Sequence, residues 1–144
     1  MLYFHKMKKY IKYIPYATFL IALAATLISL YFSEIMKLVP CVLCWYQRIC
    51  MYSLIAISAV SIMRKDKAIA DYVLPLSIVG LAIAIYHNLL YYSILPESVA
   101  PCTQGISCTT KQIEWFGFIT IPLLSMLTFA LITLIMIIYR RFHK

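Results

Sequence analysis

Apolar residues run in four long blocks, about Tyr13 to Phe32, Cys41 to Met63, Tyr72 to Leu95 and Phe116 to Tyr139, parted by short polar connections. Each block holds at least the ~20 residues with which a helix rising ~1.5 Å per residue crosses a hydrocarbon core of ~30 Å. Backbone amides in lipid must find their partners within their own segment, so four spans mean four helices. The connections, 33–40, 64–71 and 96–115, are too short for a second domain. The pattern therefore predicts an all-α membrane protein, a four-transmembrane-helix bundle forming one integral membrane domain over residues 1–144. Beyond a loose two-hairpin layout, with a cysteine pair at each outer connection, no repeat or low-complexity tract is found.

Composition agrees: 64% of the 144 residues are hydrophobic and 12% charged, with a mean hydropathy of +0.88, whereas water-soluble domains are about 25% charged. The net charge of +8 is carried by Lys and Arg grouped beside the apolar blocks, a distribution that orients a membrane protein and argues against nucleic acid as a partner. Ten of the 13 basic residues fall on one side: Lys6, Lys8, Lys9, Lys12, Arg64, Lys65, Lys67, Arg140, Arg141 and Lys144. Only Lys37, Arg48 and Lys111 fall on the other. The positive-inside rule then makes both termini cytoplasmic and sets both cysteine-bearing connections outside. Aromatic residues follow the same frame, with Tyr31, Phe32, Trp45, Tyr46, Tyr91, Tyr92, Trp115 and Phe116 at the outer interface and Tyr10, Tyr13, Tyr72 and Tyr139 at the inner one. Ala22-Leu23-Ala24 resembles a signal cleavage site, but the apolar run continues to Phe32, so the first block is read as a retained helix.

The chemistry lies in the cysteines. Outside the cytoplasm neighbouring thiols oxidise. Pro40 is suited to open a helix, which sets Cys41 and Cys44 in a first turn, where the helix terminus favours a thiolate. Arg48 follows one turn below Cys44 on the same face, and a cation inside a membrane next to a dithiol points to function more than to a braced disulfide. Cys102 and Cys108 flank a turn-rich segment whose Gly105 can take positive φ; spacing alone leaves open an exchange pair accessible to a protein or a plain loop staple. A four-cysteine zinc site is disfavoured by the wide second spacing, so no metal is expected. His87 lies eight residues in from Leu95, as Arg48 does from Pro40, which sets both about 12 Å deep and able to flank one ligand; an interhelical hydrogen-bonding role is the equal alternative. Cys50 reads as core, and His5 and His143 as solvated. Glu34, Glu97 and Glu114 are the outer carboxylates and none lies within a span, which argues against a hydrolase or a proton-driven pump.

Cys41-Val42-Leu43-Cys44-Trp45-Tyr46-Gln47-Arg48 at the outer start of the second of four helices, with a second pair before the fourth, resembles the DsbB family of disulfide bond formation proteins. The short outer loop and Cys102-Thr-Gln-Gly-Ile-Ser-Cys108 look like its Gram-positive, BdbC-type members. The resemblance covers nearly the whole chain. It implies a multi-pass cell-membrane enzyme that reoxidises a DsbA-like thioredoxin-fold thiol oxidase and passes the electrons to a quinone of the membrane pool, menaquinone favoured over ubiquinone. By the same resemblance Cys44 would meet the quinone, Arg48 and His87 would lie at its headgroup, Cys102 would be attacked by the partner, and Cys108 would attack Cys41. The second loop departs from the better-known members, which have a longer one with wider cysteine spacing. A vitamin K epoxide reductase-like protein shares the bundle and the C-x-x-C but carries its pairs in the opposite order. A non-catalytic subunit braced by disulfides is the reading from another class.

Overall fold

The computed structural model describes residues 10–102, 106–111, 114–115 and 119–143. Lys6, Lys8 and Lys9 with His5, Gly105, Phe116 and Lys144 lie outside the described residues, as do the side chains of Trp115 and His143. Four long helices are present: α1 (Ile14–Leu30), α2 (Val42–Arg64), α3 (Ile69–Tyr91) and α4 (Ile121–His143). All four are long and apolar enough to cross a membrane. Large apolar side chains such as Leu20, Ile49, Ile78, Leu127 and Leu134 point outward on every helix, as expected where the surrounding solvent is hydrocarbon. α1 packs on α2 and α4, and α3 packs on the same two.

The helix ends show how the polar connections work. α1 carries on through a wider π turn, Tyr31–Ile35, which Met36 N–H closes on the Tyr31 carbonyl at 3.2 Å. α2 starts at Val42, not at Pro40. Cys41 has extended backbone as the residue capping the helix, and its carbonyl accepts the first turn's bond from Trp45 N–H at 3.2 Å. At the far end Lys65 turns left-handed (φ 52°), and Asp66 Oδ1 accepts from Ala68 N–H at 2.8 Å. That short turn starts α3 at Ile69, three residues before the apolar run at Tyr72 predicts. Asp71 in its first turn suits the positive end of the helix dipole.

α3 also ends before Leu95. Ser93 adopts φ 57°, and Ile94 and Leu95 N–H fold back onto the Leu89 carbonyl at 2.9 and 3.2 Å, the reversal typical of a helix C-terminus. The fourth helix starts at Ile121 and not at Phe116, because Glu114–Trp115 (β1) pairs antiparallel with Ile119–Thr120 (β2), in register Glu114 to Thr120 and Trp115 to Ile119. Pro122 then enters in the first turn, where its missing N–H leaves nothing unpaired.

The core draws on all four helices, with most of its buried residues on α3 and α4. Gly80 allows the ring of Phe129 to lie against the α3 backbone: a Cβ at Gly80 would be 2.2 Å from the Phe129 ring, and that ring is fully buried. Ser77 accepts from Thr133 Oγ1 at 3.1 Å nearby, one polar bridge between the two helices. At the end away from the cysteines, Arg140 Nε meets Asp71 Oδ1 at 3.3 Å, both half exposed. Gly80→Ala should destabilise the bundle by about 1–3 kcal/mol, the usual cost of overpacking, read as an earlier transition in a detergent unfolding titration. Wild-type stability would mean that Phe129 has room to yield.

Candidate functional site

The two cysteine pairs meet at one end of the bundle. Cys102 and Cys108 are bonded to each other, while Cys41 and Cys44 are free thiols whose sulfurs lie 3.1 Å apart, one helical turn from each other. Cys41 Sγ is within 4.8 Å of both loop sulfurs. The loop disulfide is asymmetric: Cys108 is 2% exposed and lines a small cavity of about 40 Å³ with Cys41, Cys44 and His87, whereas Cys102 is only half buried.

Three anchors hold the loop there. Glu97, on the 3-10 turn Glu97–Val99, accepts hydrogen bonds from the hydroxyls of Ser107 and Thr109 on either side of Cys108, the second at 2.8 Å. Tyr86 Oη donates to the Val99 carbonyl at 2.6 Å, fastening the turn to α3. Asn88 Nδ2 donates to the Pro122 carbonyl at 2.8 Å and so fixes the start of α4 beside the same cavity.

Behind Cys41 runs a buried polar chain. His87 Nε2 lies 3.7 Å from Cys41 Sγ, Gln47 Nε2 lies 3.2 Å from His87 Nδ1, and Ser125 Oγ donates to Gln47 Oε1 at 2.7 Å. The Cys41 thiol, just outside the membrane-spanning segment, is held well below the ordinary thiol range, first by the Cys44 thiol and then by His87, which together outweigh the opposing effect of burial. A thiolate is the reactive form in disulfide exchange.

On the other side of Cys44 a larger cavity of about 180 Å³ opens between α1, α2 and α4. Its lining is mostly apolar, including Ile28, Phe32, Leu38, Met51 and Leu124, with Arg48 the only charged residue among the described residues that line it. Arg48 Nε donates to Ser29 Oγ at 3.0 Å and a terminal amine of the same side chain to the Ser29 carbonyl at 2.9 Å. Its guanidinium lies 5.5 Å from the centre of the Trp45 ring. His87 and Arg48, set at one depth by their numbering, thus line different cavities, and Cys44 lines both. Cys50 is buried in the apolar core.

Gln47, Ser125, Ser29 and Asn88 were not singled out from the sequence. Gln47 and Asn88 did carry a signal, since each is an amide inside an apolar span beside a chemically marked residue, and such amides find interhelical partners.

A bundle of four membrane-length helices that sets a bonded loop pair against a helix-end dithiol defines a class, the membrane thiol–disulfide exchangers. The chain belongs to the DsbB family: the family model described as disulfide bond formation protein DsbB matches residues 12–139. Its relatives include disulfide bond formation protein C of Bacillus subtilis (strain 168), 46% identical over 84% of this chain and 88% of the relative. A probable disulfide formation protein of Metapseudomonas resinovorans is 41% identical over 86% and 87%, and probable disulfide formation protein C 1 of Bacillus anthracis 44% over 75% and 78%. No solved structure matches.

Glu97 gives this site a testable pH response. Hydrogen bonds from Ser107 first, and Thr109 second, lower the pKa of its carboxyl. The clamp is therefore complete above the ordinary carboxylate value of ~4.3 and is released only as pH falls through the lower folded value. Near pH 7, Glu97→Ala should raise hydrogen exchange at the Thr109 and Thr110 amides severalfold. Wild-type protection in that variant would remove Glu97 as the anchor.

Proposed function

We propose that this protein reoxidises a soluble thioredoxin-fold thiol oxidase on the outer face of the membrane and delivers the electron pair to a lipophilic quinone, with menaquinone the favoured acceptor. The observation that carries this reading is the position of Cys41 Sγ, 3.1 Å from Cys44 Sγ and within 4.8 Å of both loop sulfurs. A dithiol pair in such contact with a disulfide exchanges with it directly. The distribution of ten basic residues against three supports an outward site.

Each exchange breaks one S–S bond and forms one. A thiolate of the partner attacks Cys102, the less buried sulfur, and Cys108 leaves as a thiolate inside the small cavity. Cys108 attacks Cys41 of an oxidised Cys41–Cys44 bond, forming Cys41–Cys108 and releasing Cys44. The partner's second thiolate closes its own disulfide and frees Cys102, which attacks Cys108, restores the loop pair and releases Cys41. The electron pair now rests on Cys41 and Cys44, with the hydrogen bond from His87 stabilising the Cys41 thiolate as it leaves. A quinone supplies the sink, taking up two electrons and two protons as the Cys41–Cys44 bond re-forms.

The larger cavity fits such a headgroup. An apolar cavity of ~150 Å³ already takes up a benzene ring, and this one, about 180 Å³, has the Cys44 thiol at its wall and one cation to favour developing negative charge on a carbonyl oxygen. Arg48 keeps two donors engaged with Ser29, which holds the planar guanidinium at the cavity wall and leaves further N–H donors for a ligand.

The test is anaerobic quinone reduction by the purified protein with a reduced thioredoxin-fold oxidase, one hydroquinone being expected per partner disulfide formed. Arg48→Ala should raise the quinone KM or slow turnover about tenfold or more, the worth of a charge-assisted hydrogen bond. Arg48→Lys should recover only part, because an ammonium lacks the fork. Absence of quinone reduction in the wild type would overturn the reading, and unchanged kinetics in Arg48→Ala would remove Arg48 from the acceptor site.

A further inference from the structure

His87 is the only ring nitrogen base beside Cys41 among the described residues, and a neutral imidazole has a single N–H. Which nitrogen carries it is decided by the partner of the other. Here the partner of Nδ1 is Gln47, whose amide nitrogen lies 3.2 Å away. An amide can present either end; of the two acceptors within reach of the single Ser125 hydroxyl proton, Gln47 Oε1 at 2.7 Å is closer than the Pro122 carbonyl at 3.2 Å, so Ser125 donates to the amide oxygen and fixes the choice. With that oxygen taken, the NH2 group points at Nδ1, Nδ1 accepts, and the ring proton lies on Nε2, 3.7 Å from Cys41 Sγ.

We propose that Gln47, oriented by Ser125, is a positioning residue for thiol exchange: it selects the His87 tautomer that donates its Nε2–H to the Cys41 thiolate. The role of Cys41 as a leaving thiolate rests on the proposed relay, but the hydrogen-bond relay itself does not. Gln47 and His87 are both buried, so water competes poorly with either bond, and three helices contribute one member each: α2 Gln47, α3 His87 and α4 Ser125. Among the described residues, the groups that titrate and face Cys41 are Cys44 on α2, His87 and Tyr91 on α3, and, once reduced, Cys102 and Cys108 of the loop; α4 contributes only Ile121 and Pro122 to the shared cavity. Arg48 acts from the far side of Cys44.

The measurement is the pH midpoint of Cys41 alkylation in the fully reduced protein, resolved from Cys44 by fragmentation mass spectrometry. Gln47→Leu frees the ring to place its proton on either nitrogen, and the midpoint should rise by about one pH unit, a tenfold loss of thiolate, as expected when a hydrogen bond to a charged group is weakened. Ser125→Ala should shift it in the same direction by less. Gln47→Glu should return it to or below the wild-type value, since a carboxylate accepting from Nδ1–H favours the doubly protonated imidazolium, which keeps its second N–H on Nε2 toward Cys41. If Gln47→Leu does not fold, the wild type decides: the long-range proton–nitrogen spectrum of histidine-labelled protein should show the Nε2–H tautomer for His87.

An unmoved midpoint in folded Gln47→Leu, or an Nδ1–H tautomer in the wild type, would overturn the inference. Either result together with intact quinone reduction would leave the proposed function standing. A shifted midpoint in a protein that does not reduce quinone would refute the relay to quinone and keep the role of Gln47.

Discussion

Hydrocarbon offers no hydrogen bonds, so each of the four spans has to close its own backbone ladder, and the chain can bend and expose reactive groups only where a span ends. Both cysteine pairs lie at such ends. Cys41 caps α2, and Cys102 and Cys108 sit between the end of α3 and the start of α4. The connection from Tyr92 to Thr120 is long enough to leave α3 and return over the bundle, and Glu97, Tyr86 and Asn88 fix where it lands. The redox chemistry is thus confined to one face by the same constraint that makes the helices.

Two environments meet at Cys44. Toward the loop polar groups, His87, Ser107 and Thr110, lie beside the sulfurs together with Ile121 and Pro122. Toward α1 the surroundings are mostly apolar, with one arginine. In the proposed relay a dithiol at this boundary would serve a soluble protein's chemistry through one sulfur and a lipid-soluble acceptor's through the other. Burial alone would raise the Cys41 pKa; the hydrogen bonds from Cys44 and His87 reverse that and favour Cys41 as a thiolate.

Much of this was legible in the chain. Apolar run length gave four membrane helices, and the spacing of Cys41, Cys44 and Arg48 with the resemblance it supports led to the family that the comparison shows. The ends of α3 and α4 were not legible, because Ile94 and Leu95 are apolar but fold back after a left-handed Ser93, and Ile119 is apolar but lies in a strand pair. Depth along a helix follows from residue number, whereas the direction a side chain faces follows from how the helices pack. His87 and Arg48 therefore share a depth and line different cavities. The partners Ser29, Ser125 and Pro122 are supplied by other helices across long sequence separations, which a local pattern does not encode.

The central claim is that Cys41 is the junction between the pairs, with Cys108 its partner. The most direct measurement is disulfide mapping of a Cys44→Ser, Cys102→Ser variant after mild oxidation in membranes. A Cys41–Cys108 bond should form nearly quantitatively, because the two sulfurs are already within 4.8 Å. Cys41 and Cys108 both left as free thiols under conditions that fully close Cys102–Cys108 in a Cys41→Ser control would contradict the account.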